Sequence, residues 1–413
     1  MSIDLTSLPK PMPEAKKLNL RLWALLLIVF IFIGTIITVV ASFFYRIPNA
    51  LFLSGAFVFP VLIWGGLFLY RFYAYSYRKI YNNEWNLYRE QRKEEMINDG
   101  QRGLSVLGYS LITEKGTIGN AAALIDNRFL MTSKHHPTCS TVVPHTSLFL
   151  NSEIDINNVN GYLTFLFNQW KKELKNKFST LLAHENIHVR LFMEIGKSVE
   201  IDKLQTLWNE TIGTIIPHPA SFVFEKPSDS NTFIESWLDN EEYYNDLLLI
   251  FNLHLFDIPT KNEGEFASWL FLAGENTDIG ALLEDDSILV KVHRSEQTSS
   301  LSQTIDNALL WGNVNNASYD SVWYNGVSSE LKINIANYFN QIEFKPKNML
   351  NVEGSIGYAG LCSYWLCLSL AIENAYNSKS NQLIVIGKPQ KATVSAVSCS
   401  QNNNKSSSDN GII

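Results

Sequence analysis

Two long apolar segments near the N-terminus constrain the fold of this 413-residue chain more than any other feature. Residues 22–44 read LWALLLIVFIFIGTIITVVASFF and residues 50–70 read ALFLSGAFVFPVLIWGGLFLY, and neither segment contains a charged residue. About 20 apolar residues in a helix suffice to cross a hydrocarbon core of about 30 Å. Only a few residues separate the segments, so residues 1–75 are predicted to form a transmembrane hairpin of two helices.

The basic residues around the hairpin predict its orientation. Cytoplasmic flanks of membrane helices carry an excess of lysine and arginine. The connection between the segments holds only Arg46, whereas both flanks of the hairpin are basic: Lys10, Lys16, Lys17 and Arg21 precede it, and Arg71, Arg78 and Lys79 follow it. Both termini and the rest of the chain are therefore predicted to lie in the cytoplasm.

The remainder of the chain has the pattern of a globular α/β region. Residues 76–100 are polar and helix-forming, which predicts a helical stalk. Residues 101–400 alternate between helical and strand periodicity, which predicts a sheet with helices on its faces. We divide this region into halves at 101–295 and 296–400, with a loop at 295–303 between them and a polar, disordered tail at 401–413. The net charge of −7 gives no sign of a nucleic-acid partner.

The periodicity also predicts individual elements. Residues 264–272 fit a helix or a strand equally well. The predicted strands are 103–113, 185–195, 220–224, 246–255, 287–292, 382–387 and 392–399, and the predicted helices are 162–182, 201–211, 230–238, 328–340 and 361–375.

One short motif must be weighed as a metal site. His184-Glu185-Asn186-Ile187-His188 fits HExxH, which on a helix binds zinc through both histidines and uses the glutamate as general base, with Glu194 at a suitable distance for a third ligand. Residues 185–195 alternate as a strand does, however, and on a strand the two histidines stand about 13 Å apart. We therefore predict surface histidines at a turn and no metal site, and we keep a zinc metallopeptidase as the alternative.

The other histidines and cysteines form no stronger group. His135 and His136 with Cys139 lack a fourth ligand, so a polar loop is favoured over a metal knuckle. His254 stands in an apolar strand and is interpreted as a histidine with its hydrogen bonds satisfied. The sequence contains no CxxC pair, and we expect Cys362 and Cys367 to be buried free thiols. Cys399 is the fourth cysteine, and this pattern of cysteines fits a reducing compartment. No phosphate or dinucleotide motif is present, and no cofactor is predicted.

The C-terminal part resembles the second half of a thiolase-like, or β-ketoacyl synthase-like, domain. The resemblance lies in the Gly-rich turn GSIGYAG at 354–360, the apolar helix LCSYWLCLSLAIENAY and the strands QLIVIG and ATVSAVSCS. In active synthases a similar turn presents a catalytic histidine, and Tyr358 stands at the matching position. A phenol with a pKa near 10 cannot replace histidine as an acid–base group at neutral pH. The first half also lacks a cysteine in a strand-to-helix elbow, so the resemblance implies a tandem thiolase-like region without catalytic residues.

Within that fold, most of residues 100–400 is similar to the type VI lipase adapter family of bacterial type VI secretion systems. The similar segments are QWKKELKNKFSTLLAHENIHVRLFMEI, DLLLIFNLHLF, GEFASWLFLAGE and ILVKVHR. This resemblance implies a non-catalytic adapter of the bacterial inner membrane that binds a lipase effector in the cytoplasm and helps to load it on the spike protein. Alternatives to this adapter are the metallopeptidase, a membrane-bound immunity or other binding protein, and an acyl-transfer enzyme with a reactive thiol.

Overall fold

Two units make up the chain. The computed structural model describes residues 3–136, 141–148, 159–179, 182, 186–196, 199–278, 288–313, 319–388 and 391–401. The first unit runs from Ile3 to Met96 and the second begins at Ile97.

The first unit is built on two long apolar helices. Helix α1 covers Leu20–Phe44; a short helix α2 (Asn49–Leu53) and a π-helical turn (Ser54–Val58) then lead into α3 (Phe59–Gly100). The π-helical turn immediately precedes Pro60, which has no N–H to donate to the preceding turn. Both α1 and the helical run that starts at Asn49 are long and apolar enough to cross a membrane. The predicted spans are thus helical, and α3 continues through the predicted stalk.

Small residues bring the two helices of the hairpin close together. A side chain on Gly34 would collide with the ring of Pro60, and one on Gly55 would collide with the hydroxyl of Thr38. Such small residues are enriched where membrane helices pack. At the other end of the contact, the indole of Trp64 donates a hydrogen bond of 3.0 Å to the carbonyl of Trp23.

The N-terminal segment lies along the polar part of α3. The side chain of Asn86 bonds both the N–H and the C=O of Met12, at 2.8 and 3.0 Å. Asn82 donates to the carbonyl of Pro13, and Arg89 donates to the carbonyl of Pro9. One face of α3 is therefore covered by the chain that precedes the hairpin.

The second unit contains the remaining helices and strands. Its strands are β1 (Gly103–Ile112), β2 (Ser133–Lys134), β3 (Val143–Thr146), β4 (Ile187–Ile195), β5 (Ser221–Glu225), β6 (Leu247–Leu255), β7 (Glu263–Gly264), β8 (Phe266–Ala273), β9 (Ile288–Glu296), β10 (Tyr319–Asn325), β11 (Asn348–Asn351), β12 (Asn381–Lys388) and β13 (Lys391–Gln401). Its helices are α4 (Asn120–Ile125), α5 (Val159–Phe178), α6 (Ile201–Glu210), α7 (Phe233–Leu238), α8 (Leu301–Trp311), α9 (Ser329–Gln341) and α10 (Ser363–Ser378).

A ten-stranded sheet shows that this unit is a duplication. The strand order is β11-β10-β12-β13-β9-β1-β8-β6-β4-β5. The second half consists of β9–β13, and from the edge of the sheet inwards its strands follow the order third, second, fourth, fifth, first, when they are numbered along the chain. The first half consists of β1, β4, β5, β6 and β8, and from the opposite edge inwards its strands follow the same order. The strand directions also agree, because β4 is parallel to β5 and β6 as β10 is to β11 and β12, while β8 and β13 run antiparallel to their neighbours. Antiparallel pairing of β1 with β9 joins the two halves.

Apolar side chains cover both faces of this sheet. Along β6, Leu248 and Ile250 join the core that contains α4, α7 and α10, whereas Leu249 and Phe251 join the core that contains α5 and α6. Helices α8 and α9 pack on the second half in a third cluster. Helix α10 is buried without interruption from Ser363 to Ala375, which explains why its sequence is apolar all round.

Most predicted elements are confirmed, with ends that differ by a few residues. All seven predicted strands and all five predicted helices are present, and residues 264–272 fall largely in strand β8. Helices α4 and α8 and strands β2, β3, β7, β10 and β11 were not predicted. The predicted loop at 295–303 is wrong, because β9 continues to Glu296 and α8 begins at Leu301.

Strand β9 shows why that loop was predicted wrongly. Its last residues are polar but buried: Arg294 is fully buried with Asp239 at 3.2 Å, and the Ser295 hydroxyl bonds the carbonyl of Asn231. Partners so distant in sequence cannot be read from a local pattern. Because β9 pairs with β13 and β1, the second half of the sheet begins at Ile288, and the predicted boundary at 295/296 falls at the end of β9. Of the predicted tail, only Gln401 lies among the described residues.

Candidate functional site

The carboxyl ends of β4 and β6 bring a histidine and two carboxylates together. The chain leaves β4 towards β5 on one side while β6 lies on the other, and open α/β sheets bind ligands in the crevice at such a switch point. Glu194 and His254 are opposite one another in the β4–β6 register. The Nδ1 atom of His254 lies 3.1 Å from Glu194, and its Nε2 atom lies 3.5 Å from Glu263 at the start of β7. We call these three residues the switch-point cluster.

The N-terminus of the buried helix α10 points at the same cluster. A 3₁₀ turn, Gly360–Cys362, leads into α10, and the N–H of Leu361 donates a hydrogen bond of 2.8 Å to Glu194. Gly360 has a positive φ of 54°, and a side chain there would collide with the carboxylate of Glu194. A helix N-terminus attracts anions, and here the carboxylate of Glu194 binds the turn immediately before α10.

The charges of the cluster follow from its burial and contacts. Burial alone would lower the pKa of His254, but its hydrogen bonds to Glu194 and Glu263 outweigh burial and raise that pKa to about 9. For Glu263, burial is likewise outweighed by the His254 hydrogen bond and by Thr260, so its pKa is lowered. At neutral pH the imidazole is therefore a cation held between carboxylates. An imidazolium in this state cannot accept a proton as a general base.

A second buried carboxyl group lies next to the cluster. Glu265 accepts hydrogen bonds from the N–H groups of Leu148 and Phe256, at 3.0 and 3.3 Å. Burial raises the pKa of Glu265 to about 8 despite these bonds, so the group is largely protonated at neutral pH. Glu265, Ser147 and His136 line a small cavity of about 40 Å³.

Tyr358 lies at the rim of the site, in the Gly-rich turn. Its N–H donates to the carbonyl of Asn262 at 2.7 Å, and its carbonyl accepts from Gly264 at 3.0 Å, while its side chain is 41% exposed. Burial, and then the negative charge of Glu194, raise the pKa of the Tyr358 phenol. The phenol is therefore neutral and unsuited to proton abstraction at neutral pH, as the sequence predicts.

An open cleft of about 650 Å³ lies beside Tyr358. It stands at the carboxyl ends of β10 and β12, the equivalent crevice of the second half. Lys332, in the first turn of α9, places its Nζ atom 3.2 Å from the Oδ1 atom of Asn351 at the cleft. Ser328, Gly326 and Gly387 also line it. The cleft offers a cation, hydroxyl groups and exposed backbone, and its volume is within the usual range for a ligand pocket.

The thiols of the described residues are not placed for nucleophilic attack. Cys362 and Cys367 are fully buried, and the Sγ atom of Cys362 lies 3.8 Å from the carbonyl of Leu253. Burial raises the pKa of both thiols, and burial also raises that of Cys399. The thiolate is the nucleophile, so burial disfavours the reactive form of all three thiols. Cys139 lies outside the described residues.

The strand-to-helix elbow of the first half contains no cysteine. Strand β5 is followed by a 3₁₀ turn, Pro227–Asp229, and then by α7. This elbow corresponds by position to the turn Gly360–Cys362 that precedes α10 in the second half. The residues between β5 and α7 are Lys226, Pro227, Ser228, Asp229, Ser230, Asn231 and Thr232.

Only part of the HExxH motif can be placed. His184 and Glu185 lie outside the described residues, whereas Ile187 and His188 are the first residues of strand β4. The motif is therefore not a continuous helix, in agreement with the predicted strand. The expectation of a surface position is wrong for His188, which is 8% exposed. Within the described ranges no three histidine, cysteine or acidic side chains are grouped to hold a metal ion.

His188 instead belongs to a buried polar network at the amino ends of β4, β5 and β6. Its Nδ1 atom lies 2.7 Å from the hydroxyl of Ser221, and its Nε2 atom lies 2.9 Å from Asp246. Arg190 donates to the same hydroxyl at 2.7 Å and lies 3.1 Å from Glu225. The Ser221 oxygen is thus held by a cation as well as by the imidazole, at the end of the sheet opposite to the switch point. We assign this network to holding the three strands together.

The remaining candidate histidines are separated by the fold. His135 is exposed, while the buried ring of His136 packs against His145 and Phe256 at 5.5 Å from each. His254, predicted to be satisfied within an apolar strand, is buried and bound to two carboxylates. The sequence does contain a signal for the cluster, because Glu194 and His254 are polar penultimate residues of two apolar strands. Their meeting could not be predicted without the pairing of β4 with β6.

Comparison with known proteins gives structural matches alone. No family model and no curated protein matches the chain. OleA of Xanthomonas campestris is 10% identical with a TM-score of 0.44, over 72% of this chain and 98% of OleA. The ishigamide ketosynthase/chain length factor is 11% identical with a TM-score of 0.47, over 72% of this chain and 99% of that one. The PfaC keto synthase-chain length factor is 10% identical with a TM-score of 0.44, over 72% of this chain and 43% of that one.

Likeness at these TM-scores is too weak to assign a fold or an activity. The fold assignment therefore rests on the duplicated sheet itself. Two α/β halves with the same strand order and directions are what a tandem thiolase-like region requires, so the predicted fold class is confirmed.

Proposed function

We propose that this chain is a membrane-anchored, non-catalytic adapter that binds a protein effector through its thiolase-like region. One observation carries the non-catalytic part of the proposal: the carboxylate of Glu194 accepts a hydrogen bond from the N–H of Leu361, in the turn that leads into α10 at the switch point. Stabilising a developing oxyanion there would require free N–H donors. Glu194 would repel the negative charge that acyl transfer generates.

The chemistry of the neighbouring groups supports the same proposal. Nucleophilic catalysis needs a thiolate or an activated hydroxyl beside a neutral base. The nearest histidine, His254, is protonated between two carboxylates, and the nearest thiol, Cys362, is buried with a raised pKa. Tyr358 stands where the resemblance places a catalytic histidine.

The partner is proposed from the sequence resemblance. The type VI lipase adapter family implies a lipase effector as the bound protein and the secretion spike as the place of delivery. In this proposal the hairpin lies in the bacterial inner membrane with the second unit in the cytoplasm, where an effector awaits export. Of the alternatives, the metallopeptidase loses support because His188 lies on a strand with Ser221 and Asp246 as partners.

Affinity capture tests the proposal directly. The full-length chain, tagged and expressed in its own host, is extracted in mild detergent and probed for the lipase encoded nearest to it. We expect the lipase to be retained by the wild-type chain and equally by the Cys362→Ser variant, because binding requires no thiol chemistry. A tagged, unrelated membrane protein is the control. Repeated absence of any lipase, or thioesterase activity that Cys362→Ser abolishes, would contradict the proposal.

Deletion of the gene separates an adapter from an immunity protein. Loss of an adapter stops export of the lipase and leaves the cells resistant to attack by their sisters. Loss of an immunity protein leaves export intact and makes the cells sensitive.

A further inference from the structure

Helix α3 carries an exposed aromatic stripe that begins at the end of the apolar segment 50–70 and continues beyond it. Tyr70, Tyr73, Tyr77, Ile80 and Leu87 are between 54% and 74% exposed. The positions 70, 73, 77, 80, 84 and 87 are alternately three and four residues apart, and Glu84 is the one polar residue in this series. Tyr81 and Tyr88, 49% and 66% exposed, flank the same face. We call these seven apolar and aromatic residues the stalk stripe.

The opposite face of the helix is already occupied. Asn82, Asn86 and Arg89 hold the N-terminal segment there through the carbonyls of Pro9, Met12 and Pro13. The N–H of Met12 is also bound, so Asn86 holds both backbone polar groups of this residue. The stalk stripe is therefore the apolar face of α3 that the first unit leaves open outside the apolar run.

The lipid headgroups account for only the first part of the stripe. At a rise of about 1.5 Å per residue, Tyr88 stands about 27 Å beyond Tyr70. The headgroup region is only about 5–8 Å deep on each side of the hydrocarbon core. Tyrosines at 70 and 73 suit that region, but the residues from Tyr77 to Tyr88 would then stand in water.

The size and period of the stripe point to a second copy of the same helix. The five side chains from Tyr77 to Tyr88, each 49–66% exposed, present on the order of 600 Å², which is at the lower end of what each partner contributes to a stable interface. Apolar residues that alternate at three and four residues form the seam of a parallel coiled coil. Two hairpins in one membrane hold their α3 helices parallel.

We infer that the stalk stripe is the interface of a parallel homodimer formed by α3 from two copies of the chain. Glu84 then faces its counterpart across the seam, and a polar residue at one such position fixes register at a cost in stability. The inference does not depend on the proposed adapter function.

Cysteine cross-linking of the full-length chain in lipid nanodiscs tests the inference. Ile80→Cys and Leu87→Cys should each form a disulfide-linked dimer under mild oxidation. Arg78→Cys is the matched control, because Arg78 is exposed but lies about 160° around the helix from Ile80. The wild-type chain, with its native cysteines, gives the background. Equal cross-linking at Arg78 and Ile80, or none at either stripe position, would overturn the inference.

Mass measurement gives a second, independent readout. Native mass spectrometry of the wild-type chain should show dimers, and Tyr77→Ser/Ile80→Ser/Leu87→Ser should shift the population at least tenfold towards monomer. Glu84→Leu should shift it towards dimer, because it completes the apolar seam. A monomeric wild-type chain at all concentrations, or cross-linking of the stripe to lipid or to a different protein only, would contradict a homodimer.

Discussion

Glu194 joins the switch-point cluster to the turn before α10, because it pairs with the ring of His254 and accepts a hydrogen bond from the amide of Leu361. Neither contact is local in sequence. The residue types were visible in the sequence, where Glu194 was considered as a zinc ligand and His254 as a satisfied core residue. Their joint role depends on the parallel pairing of β4 with β6, which a local pattern does not specify.

Replacing Glu194 by glutamine tests this role. The amide oxygen can still accept from Leu361, but it cannot pair with the imidazolium. We expect the pKa of His254 to fall and the free energy of unfolding to decrease by about 1–3 kcal/mol, as for a lost charged hydrogen bond. Histidine NMR signals and thermal unfolding of the chain in detergent measure both. Glu210→Gln, an exposed change at the end of α6, is the control, and an unchanged His254 pKa would contradict the cluster.

His254 also makes stability depend on pH. Its pKa is about 9 in the folded chain against 6.5 for an unperturbed histidine, so the folded state binds the proton more tightly. This contribution is complete below about pH 6.5 and is lost as the pH rises through 9. Glu265, with its pKa raised to about 8, adds a loss of the same sign over its own range.

We therefore expect the melting temperature of the wild-type chain to fall between about pH 6.5 and 9. His254→Gln should reduce that fall without removing it, because Glu265 still titrates. Scanning calorimetry of both proteins at several pH values provides the comparison. Identical pH profiles would show that His254 is not held as an imidazolium.

Among the elements, those with simple periodicity were predicted and those with internal polar partners were missed. Strand β4 alternates, and the segment that leads into and forms most of helix α10 is mainly apolar from Leu361 to Ile372, so both were found. Strand β10 contains Asp320, Ser321 and Asn325, all buried, which disrupts the strand pattern. Asn374 on α10 donates to both Asp320 and Ser321, a contact across more than fifty residues.

Helix α4 depends on a cap supplied from α10. One carboxylate oxygen of Glu373 accepts from the N–H groups of Gly119 and Asn120, and the other accepts from that of Ala121. Glu373→Ala should lower the free energy of unfolding by about 1–3 kcal/mol, because two buried donors and one partly buried donor lose their partner. Hydrogen exchange at residues 119–125 should increase with it. Glu330→Ala, exposed in the first turn of α9, is the control, and unaltered exchange would refute the cap.

For the whole molecule, the apolar hairpin and a tandem α/β region of two halves were predicted, and the strand order shows that the two halves repeat one topology. The orientation of the hairpin remains a prediction from its basic flanks. A cysteine introduced at Asn49, in the connection, should react with a membrane-impermeant maleimide added to intact cells. A cysteine at Asn83 should react only after lysis, and the labelling of the wild-type chain is subtracted as background. Labelling of Asn83→Cys in intact cells would reverse the orientation.

Export of the lipase tests the central claim most directly. The amount of lipase in the medium is measured for cells with the wild-type gene, for a deletion strain, and for the deletion strain complemented with the wild-type gene, the Cys362→Ser variant or Glu194→Gln. A non-catalytic adapter predicts that deletion abolishes export and that the wild-type gene and Cys362→Ser restore it fully. Glu194→Gln should restore export in proportion to the amount of folded protein in the cell. Undiminished export in the deletion strain, or failure of Cys362→Ser at normal protein level, would contradict the account.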